Sequence, residues 1–421
     1  MLQTLVSSLS SGAIPLLDHV ASVLESVETV EPRVLAFLPE PGRRERVLRA
    51  AEHLLKRYPK PSKRPPLFGV LVGVKDLFNV DGLPTRAGSK LPPEAFQGAQ
   101  AGLVSRLVDA GAIVLGKTVS TEFAYFAPGP TRNPINPDHT PGGSSSGSAA
   151  AVAARICPLA LGTQTIASIT RPAAYCGVYG FKPTRGRMPL DGVFPFSPTM
   201  DQAGYFCASL ADIEYCAPLL VDGWKSPPNT PRPVLGCVTG TYLDQAVPEA
   251  REAFLSGIHS LRERGFNVLE VDLFPDIEAI NSSHRALTAW EFAQVHKELF
   301  AGYGKLYATQ SAELVQEGLR VPPGRIPSLR EQMNSLRVRI ESAAALHGIG
   351  IWISPAATMP APLGLASTGS PLMSLPWTNA GLPTLCVPSA IAANGLPLGL
   401  QFAASSGRDE YLLRAASLLP L

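Results

Sequence analysis

Apolar residues recur every three or four positions through LLDHVASVLESVETVEP, residues 16–32, and again through RVLRAAEHLLKRY, residues 46–58. That spacing lines one face of a helix, so helices are predicted across 14–57, the first ending near Pro32. After the turn PKPSKRPP the pattern changes. LFGVLVGV, residues 67–74, is a short unbroken apolar run rich in β-branched side chains, the signature of a strand buried on both faces. LVSRLVDAG (103–111) returns to helical spacing, and AIVLGKT (112–118) to a strand. Strand, crossover helix, strand is the unit of a parallel sheet.

Residues 128–147, PGPTRNPINPDHTPGGSSSG, form a loop, and SAAAVAAR begins a helix of strong helix formers. PLALGTQT (158–165), CGVYGFKPT (176–184) and QAGYFCAS (202–209) are strand-like. From about 245 to 345 the chain is mostly helical and more charged. GIWISPA, LPTLCVPS and LPLGLQFAA then return to strands. The expectation is a helical insertion between two ends that rebuild one sheet.

Composition narrows the function classes. Acids and bases nearly cancel, at a net charge of +2, and are spread along the chain. This gives no electrostatic case for nucleic acid or for a membrane surface. No run of about 18 apolar residues predicts a transmembrane helix. The apolar N-terminal stretch lacks a positive flank, so no signal peptide is expected. Six scattered cysteines without a CxxC read as buried thiols of a reduced, cytoplasmic protein. Seven histidines show neither HExxH nor metal spacing, so neither a metal nor a cofactor is expected.

Three stretches carry unusual chemistry. Lys75 ends the strand GVLVGVK, where burial disfavours a cation and makes a neutral, basic amine. The plain alternatives are a lysine that reaches water, or an ion pair with Asp76. GGSSSG, residues 142–147, places hydroxyls at a helix start, which by itself is an N-cap loop. It lacks the GK[ST] of a phosphate loop. It does match G-x-S-x-G at Ser145, but a nucleophile elbow needs a preceding strand, and RNPINPDHTP is too rich in proline to be one. Third, the strand PLALG feeds GTQTIASITRPA, residues 162–173, whose successive N–H groups could converge on one point and hold an oxyanion. A lysine can activate serine in place of histidine.

These stretches together resemble the amidase signature family. The likeness runs through residues 69–89, 111–124, 131–154, 159–187 and 380–404, and the segment SVETVEPRVLAF is similar as well. The resemblance implies an α/β fold with a mixed, largely parallel central sheet covered on both sides by helices. It implies a single domain over 1–421, with an N-terminal helical segment at 1–60 and a variable helical insertion at about 245–345. The family's Ser–cis-Ser–Lys triad maps onto Lys75 as base, Ser144 as bridging serine and Ser168, 24 positions further on, as nucleophile. The backbone N–H groups of Thr165, Ile166 and Ala167, with that of Ser168, correspond to the oxyanion hole. Tyr125 and Phe126 fall in a segment that lines the substrate site in relatives; core packing is the plain alternative.

The implied activity is hydrolysis of the C–N bond of a small, linear carboxamide through an acyl-enzyme. The expected partner is that small-molecule amide, with no nucleic acid and no membrane, and a homodimer is left open. Two alternatives stand beside it: the A subunit of a glutamyl-tRNA(Gln) amidotransferase, and a non-catalytic scaffold of the same fold. Residues 362–383 resemble a loop of the smaller hydrolytic amidases rather than the amidotransferase. One departure raises a question. The family commonly has Gly-Gly before the nucleophile, and this chain has Ile166-Ala167. If Ala167 needed a positive φ, its Cβ would strain the loop and weaken the oxyanion hole.

Overall fold

A computed structural model describes residues 2–226 and 230–420. Ten strands form one sheet: β1 (Leu71–Lys75), β2 (Ile113–Thr118), β3 (Leu159–Gln164), β4 (Tyr179–Lys182), β5 (Gln202–Cys207), β6 (Leu235–Val238), β7 (Val268–Val271), β8 (Ile351–Pro355), β9 (Thr384–Ile391) and β10 (Pro397–Ala403). Their order is β2-β1-β3-β5-β4-β9-β10-β8-β6-β7. The sheet is mixed, as expected, but its parallel pairings lie at the two flanks. β2-β1-β3 and β8-β6-β7 are parallel, and every pairing from β3 through to β8 is antiparallel. The physical reason is connection length. β9 and β10 are joined by a short turn, which only antiparallel neighbours permit, while β1 and β2 are separated by a crossover containing the helix Gly102–Asp109.

Alternation along the strands sends apolar side chains to clusters on both faces of the sheet. Val72 and Val74, Leu161, Tyr205 and Phe402 face one side, which the helices Gly102–Asp109, Leu210–Leu220 and Asp409–Ala416 cover. Leu71, Ile113, Leu115, Ala160 and Phe206 face the other. That side carries the helices Leu16–Val34, Arg43–Arg57, Ser146–Ala153 and Thr170–Cys176. Period-two alternation therefore places the residues before Lys75 on opposite faces, and the strand end delivers its amine inside the protein.

The helix expected to stop near Pro32 runs on to Val34, and Leu35 in the left-handed region closes it with its N–H on Glu31 O at 2.8 Å. The 245–345 stretch holds the helices Pro248–Glu263, Ile277–Tyr303, Thr309–Arg320 and Ile326–His347, and also β7, which the sequence reading did not resolve. β7 is a four-residue edge strand, VLEV, only partly buried, and too short to show alternation.

Candidate active site

Lys75 is the last residue of β1 and is 0% exposed. Its Nζ lies 2.7 Å from Ser144 Oγ and 2.8 Å from Thr163 Oγ1. Both alternatives weighed for it fail: the amine does not reach water, and Asp76 pairs instead with the buried Lys117 of β2 at 3.0 Å. Asp76 also accepts the N–H groups of Arg86 and Gly88. Desolvation holds the Lys75 amine well below the usual lysine range, and the charge of Asp201 only partly opposes it. A neutral amine has two hydrogens and one lone pair. It can donate to Thr163 and accept from Ser144.

The serine block is fixed from both ends. Gly142 sits at φ 80°, and a Cβ there would meet Pro172 Cα at 2.9 Å, so only glycine fits. The peptide bond between Gly143 and Ser144 is cis. Arg171 Nη2 donates to Gly143 O at 2.7 Å and to Thr368 Oγ1 at 3.1 Å, while Nη1 donates to Gly369 O. Burial lowers the Arg171 guanidinium to about 10, which leaves it a cation at neutral pH. Ser145 occupies the N-cap position of the helix Ser146–Ala153 but makes no capping bond. Its Oγ donates to Thr163 O at 3.2 Å and accepts from Thr163 N at 3.4 Å, binding the serine loop to β3. This is neither the N-cap role nor the nucleophile role weighed for the block. Ser146 Oγ donates to Gly142 O at 2.7 Å, and Ser148 Oγ to Leu161 O at 2.8 Å.

Past the end of β3 the chain bends through residues 165–168, and three consecutive carbonyls are held from outside. Thr165 O is 3.1 Å from His284 Nε2. Ile166 O accepts from Thr378 Oγ1 at 2.7 Å. Ala167 O accepts from Arg171 N at 3.0 Å, where the chain enters the helix Thr170–Cys176. A trans peptide is planar, with its N–H opposite its C=O. Fixing these three oxygens therefore fixes the directions of the Ile166, Ala167 and Ser168 N–H groups. None of those N–H groups, nor that of Thr165, donates to another described residue. Gln164 braces the bend: its Oε1 accepts from Ile169 N at 2.8 Å and Thr170 N at 2.9 Å, and its Nε2 donates to Thr378 Oγ1 at 2.9 Å. Thr165 Oγ1 donates to Asp201 Oδ1 at 2.5 Å. Burial raises the Asp201 carboxyl to about 6, against the pull of that bond and of the Phe196 and Ser197 N–H groups. Ser168 is 6% exposed, and its Oγ has no hydrogen-bond partner among the described residues. Its carbonyl accepts from Ser145 N at 3.4 Å, so the two serine loops run side by side.

The family model for amidases matches residues 18–413. The chain belongs to the amidase family. It is 31% identical to the A subunit of a glutamyl-tRNA(Gln) amidotransferase from Thermus thermophilus, over 96% of this chain and 93% of that one. It is also 31% identical to a 1-carboxybiuret hydrolase subunit from Pseudomonas sp. (strain ADP), over 99% and 97%. A crystal structure described as that of an amidase superposes with a TM-score of 0.89 at 30% identity, covering 98% of this chain and 97% of that one.

Two features of this amidase-family chain bear on its expected site. Ala167 is not among the residues with positive φ, so the strain feared for the Ile166-Ala167 pair is absent. Ile166 packs its side chain against the cluster around Trp352 and Trp377 instead. Tyr125 and Phe126 are half-buried neighbours, with ring centroids 4.7 Å apart. Tyr125 stacks on Phe196 at 5.8 Å, and the Arg171 guanidinium lies 5.9 Å from the Phe126 ring. Phe126 therefore borders the arginine that holds the serine loop, and Tyr125 packs against Phe126.

Thr163, Gln164 and Arg171 lie inside the 162–173 segment, where their hydroxyl, amide and guanidinium groups are the only sequence signal of these roles. Thr378, Asp201 and His284 are remote in sequence and carried no signal. Among the described residues no cluster of His, Cys, Asp or Glu is assembled to hold a metal ion. None of the described helices is long and apolar enough to cross a membrane.

Proposed function

We propose that the chain hydrolyses the C–N bond of a small linear carboxamide, with Ser168 as nucleophile, Ser144 as proton relay and Lys75 as base. The observation that carries this reading is the buried amine of Lys75 against Ser144, which desolvation holds well below the usual lysine range, beside a loop of unspent N–H groups. Lys75 takes the Ser144 proton as Ser144 takes that of Ser168, and Ser168 Oγ forms a bond to the amide carbon. The carbonyl π electrons move onto oxygen, and the N–H groups of Thr165, Ile166, Ala167 and Ser168 stabilise that oxyanion. The proton returns through Ser144 to the nitrogen, the C–N bond breaks and the amine or ammonia leaves. Water then attacks the acyl ester through the same relay, releasing the acid and restoring Ser168. Tyr125 and Phe126 supply an aromatic border suited to a flat or apolar acyl group. The reading is of a cytoplasmic enzyme that needs neither metal nor cofactor.

A second reading has an observation in its favour. The amidotransferase and carboxybiuret hydrolase relatives are both described as subunits. The chain would then act inside a complex, on an amide its partners present. The deciding experiment uses the chain purified alone. Ammonia release is followed over a panel of small amides, carboxyureas and aryl amides, with a fluorophosphonate probe to mark the nucleophile. The expected result is turnover by the lone chain, a single adduct on Ser168, and neither in Ser168→Ala of unchanged melting temperature. An adduct on another residue, or turnover retained in Ser168→Ala, overturns the serine assignment. Turnover only after a partner is restored favours action within a complex. No adduct and no turnover in either setting favours a scaffold.

A further inference from the structure

We propose that His284, from the long helix Ile277–Tyr303, is a positioning residue that aims the Ile166 N–H at the oxyanion. This inference rests on the Ser168 reading above and adds a residue from outside the motif. His284 is buried, and its Nε2 is 3.1 Å from Thr165 O. A carbonyl oxygen can only accept, so Nε2 carries the proton and the ring is a donor. The oxygen it holds belongs to the same peptide plane as the Ile166 N–H. Pinning one end of that plane directs the other. The adjoining planes have their own anchors, Thr378 Oγ1 on Ile166 O and Arg171 N on Ala167 O. Without His284, only the first plane of the loop loses its outside hold.

The same helix face continues onto the site. Thr288, one turn on, donates to His284 O at 2.9 Å. Glu291, two turns on, accepts from Ser197 Oγ at 2.6 Å and Thr199 N at 2.9 Å, the loop whose Phe196 and Ser197 N–H groups bind Asp201. Asp201 in turn holds Thr165 Oγ1. The helix thus grips Thr165 twice, directly through its carbonyl and indirectly through its hydroxyl. Burial lowers the imidazole to about 4, so it is neutral where the enzyme would work, and its role is directional rather than electrostatic.

The test compares His284→Gln with His284→Met in the full chain. Gln can place a donor where Nε2 now lies; Met fills similar volume with no donor. Loss of one oxyanion-hole donor costs roughly a hundredfold to a thousandfold in rate. A donor merely set swinging should cost less, roughly tenfold or more. The expected result is a kcat lowered by that factor in the Met variant with KM within about twofold, and a Gln variant within a few-fold of wild type. The melting temperatures should not follow that order. Equal kcat in wild type and Met overturns the proposal, as does a Gln variant as slow as Met. Ser168→Ala is run alongside. If it stays active the serine reading falls; if it is dead while Met is unimpaired, only the role of His284 falls.

Discussion

Lys75 is an amine held where water is not. Its environment makes a statement about pH. The proposed mechanism needs the unprotonated form, and burial lowers the amine well below the free lysine range. The rate should therefore rise with pH through the lowered pKa and level off above it. A plateau in kcat/KM reached by mildly alkaline pH is the expected profile. A rate still climbing near pH 10, where free lysine titrates, would mean that the amine is not desolvated in the working enzyme. Ala167 makes a second prediction at this scale. Its backbone is outside the left-handed region and its side chain is buried. Ala167→Gly relieves no strain and adds freedom to the unfolded chain, a cost of roughly 0.4–1 kcal/mol. The expected outcome in steady-state kinetics is a kcat equal to or below that of wild type. A clear gain in kcat would restore the idea of a compromised loop.

At the scale of elements, the site is a junction between the end of β3 and the start of the helix Ser146–Ala153. Gly162 shows how close they are. A Cβ on it would meet Phe206 Cε2 at 2.8 Å and Ser145 Oγ at 2.9 Å. Ser145 is the neighbour of Ser144, the proposed relay, and is bonded to Thr163. Gly162→Ala should therefore act twice. Overpacking should cost roughly 1–3 kcal/mol in denaturant unfolding. The shifted serine loop should also lower kcat, which a purely structural defect elsewhere would not do. Both junction partners are legible as elements, since the strand is a clean apolar run and the helix a run of alanines. Their contact is not legible in the sequence, because the pattern around Ser145 is that of an N-cap loop, whereas its hydroxyl straps the loop to β3.

At the scale of the molecule, the ends of the chain are brought to one sheet, and buried charge is placed along it with care. Asp76 and Lys117 form an ion pair almost wholly inside the protein, between the end of β1 and β2. Burial pushes the carboxyl up and the amine down, and each charge restrains the shift of the other. Removing one partner strands the other in a dry site, at a cost of roughly 3–5 kcal/mol. Lys117→Met should lower global stability by about that much in urea unfolding. The double change Asp76→Asn with Lys117→Met should cost less than the single one, because no lone charge remains. If the single and double variants were equally destabilised, the pair would not be the reason both residues are charged.

Much of the fold was legible because it is local. The buried strands announce themselves as unbroken apolar runs, and the N-terminal helices as threes and fours. The mixed sheet with helices on both faces came from the resemblance, and the antiparallel centre and the edge strand Val268–Val271 were legible in neither, since pairing is decided between segments far apart in the chain. The resemblance named Lys75, Ser144 and Ser168. It could not say that Asp76 would turn away to Lys117, nor that Ile166-Ala167 would be free of strain. Sequence determined which chemical groups are available and which stretches run straight or bend. Tertiary structure decided what those groups face: how dry the amine of Lys75 is, and which distant donors, Thr378 and His284 among them, hold the 165–168 loop. The reason is physical. Propensity and periodicity act over a few residues, whereas desolvation and hydrogen-bond direction depend on atoms that only folding brings within reach.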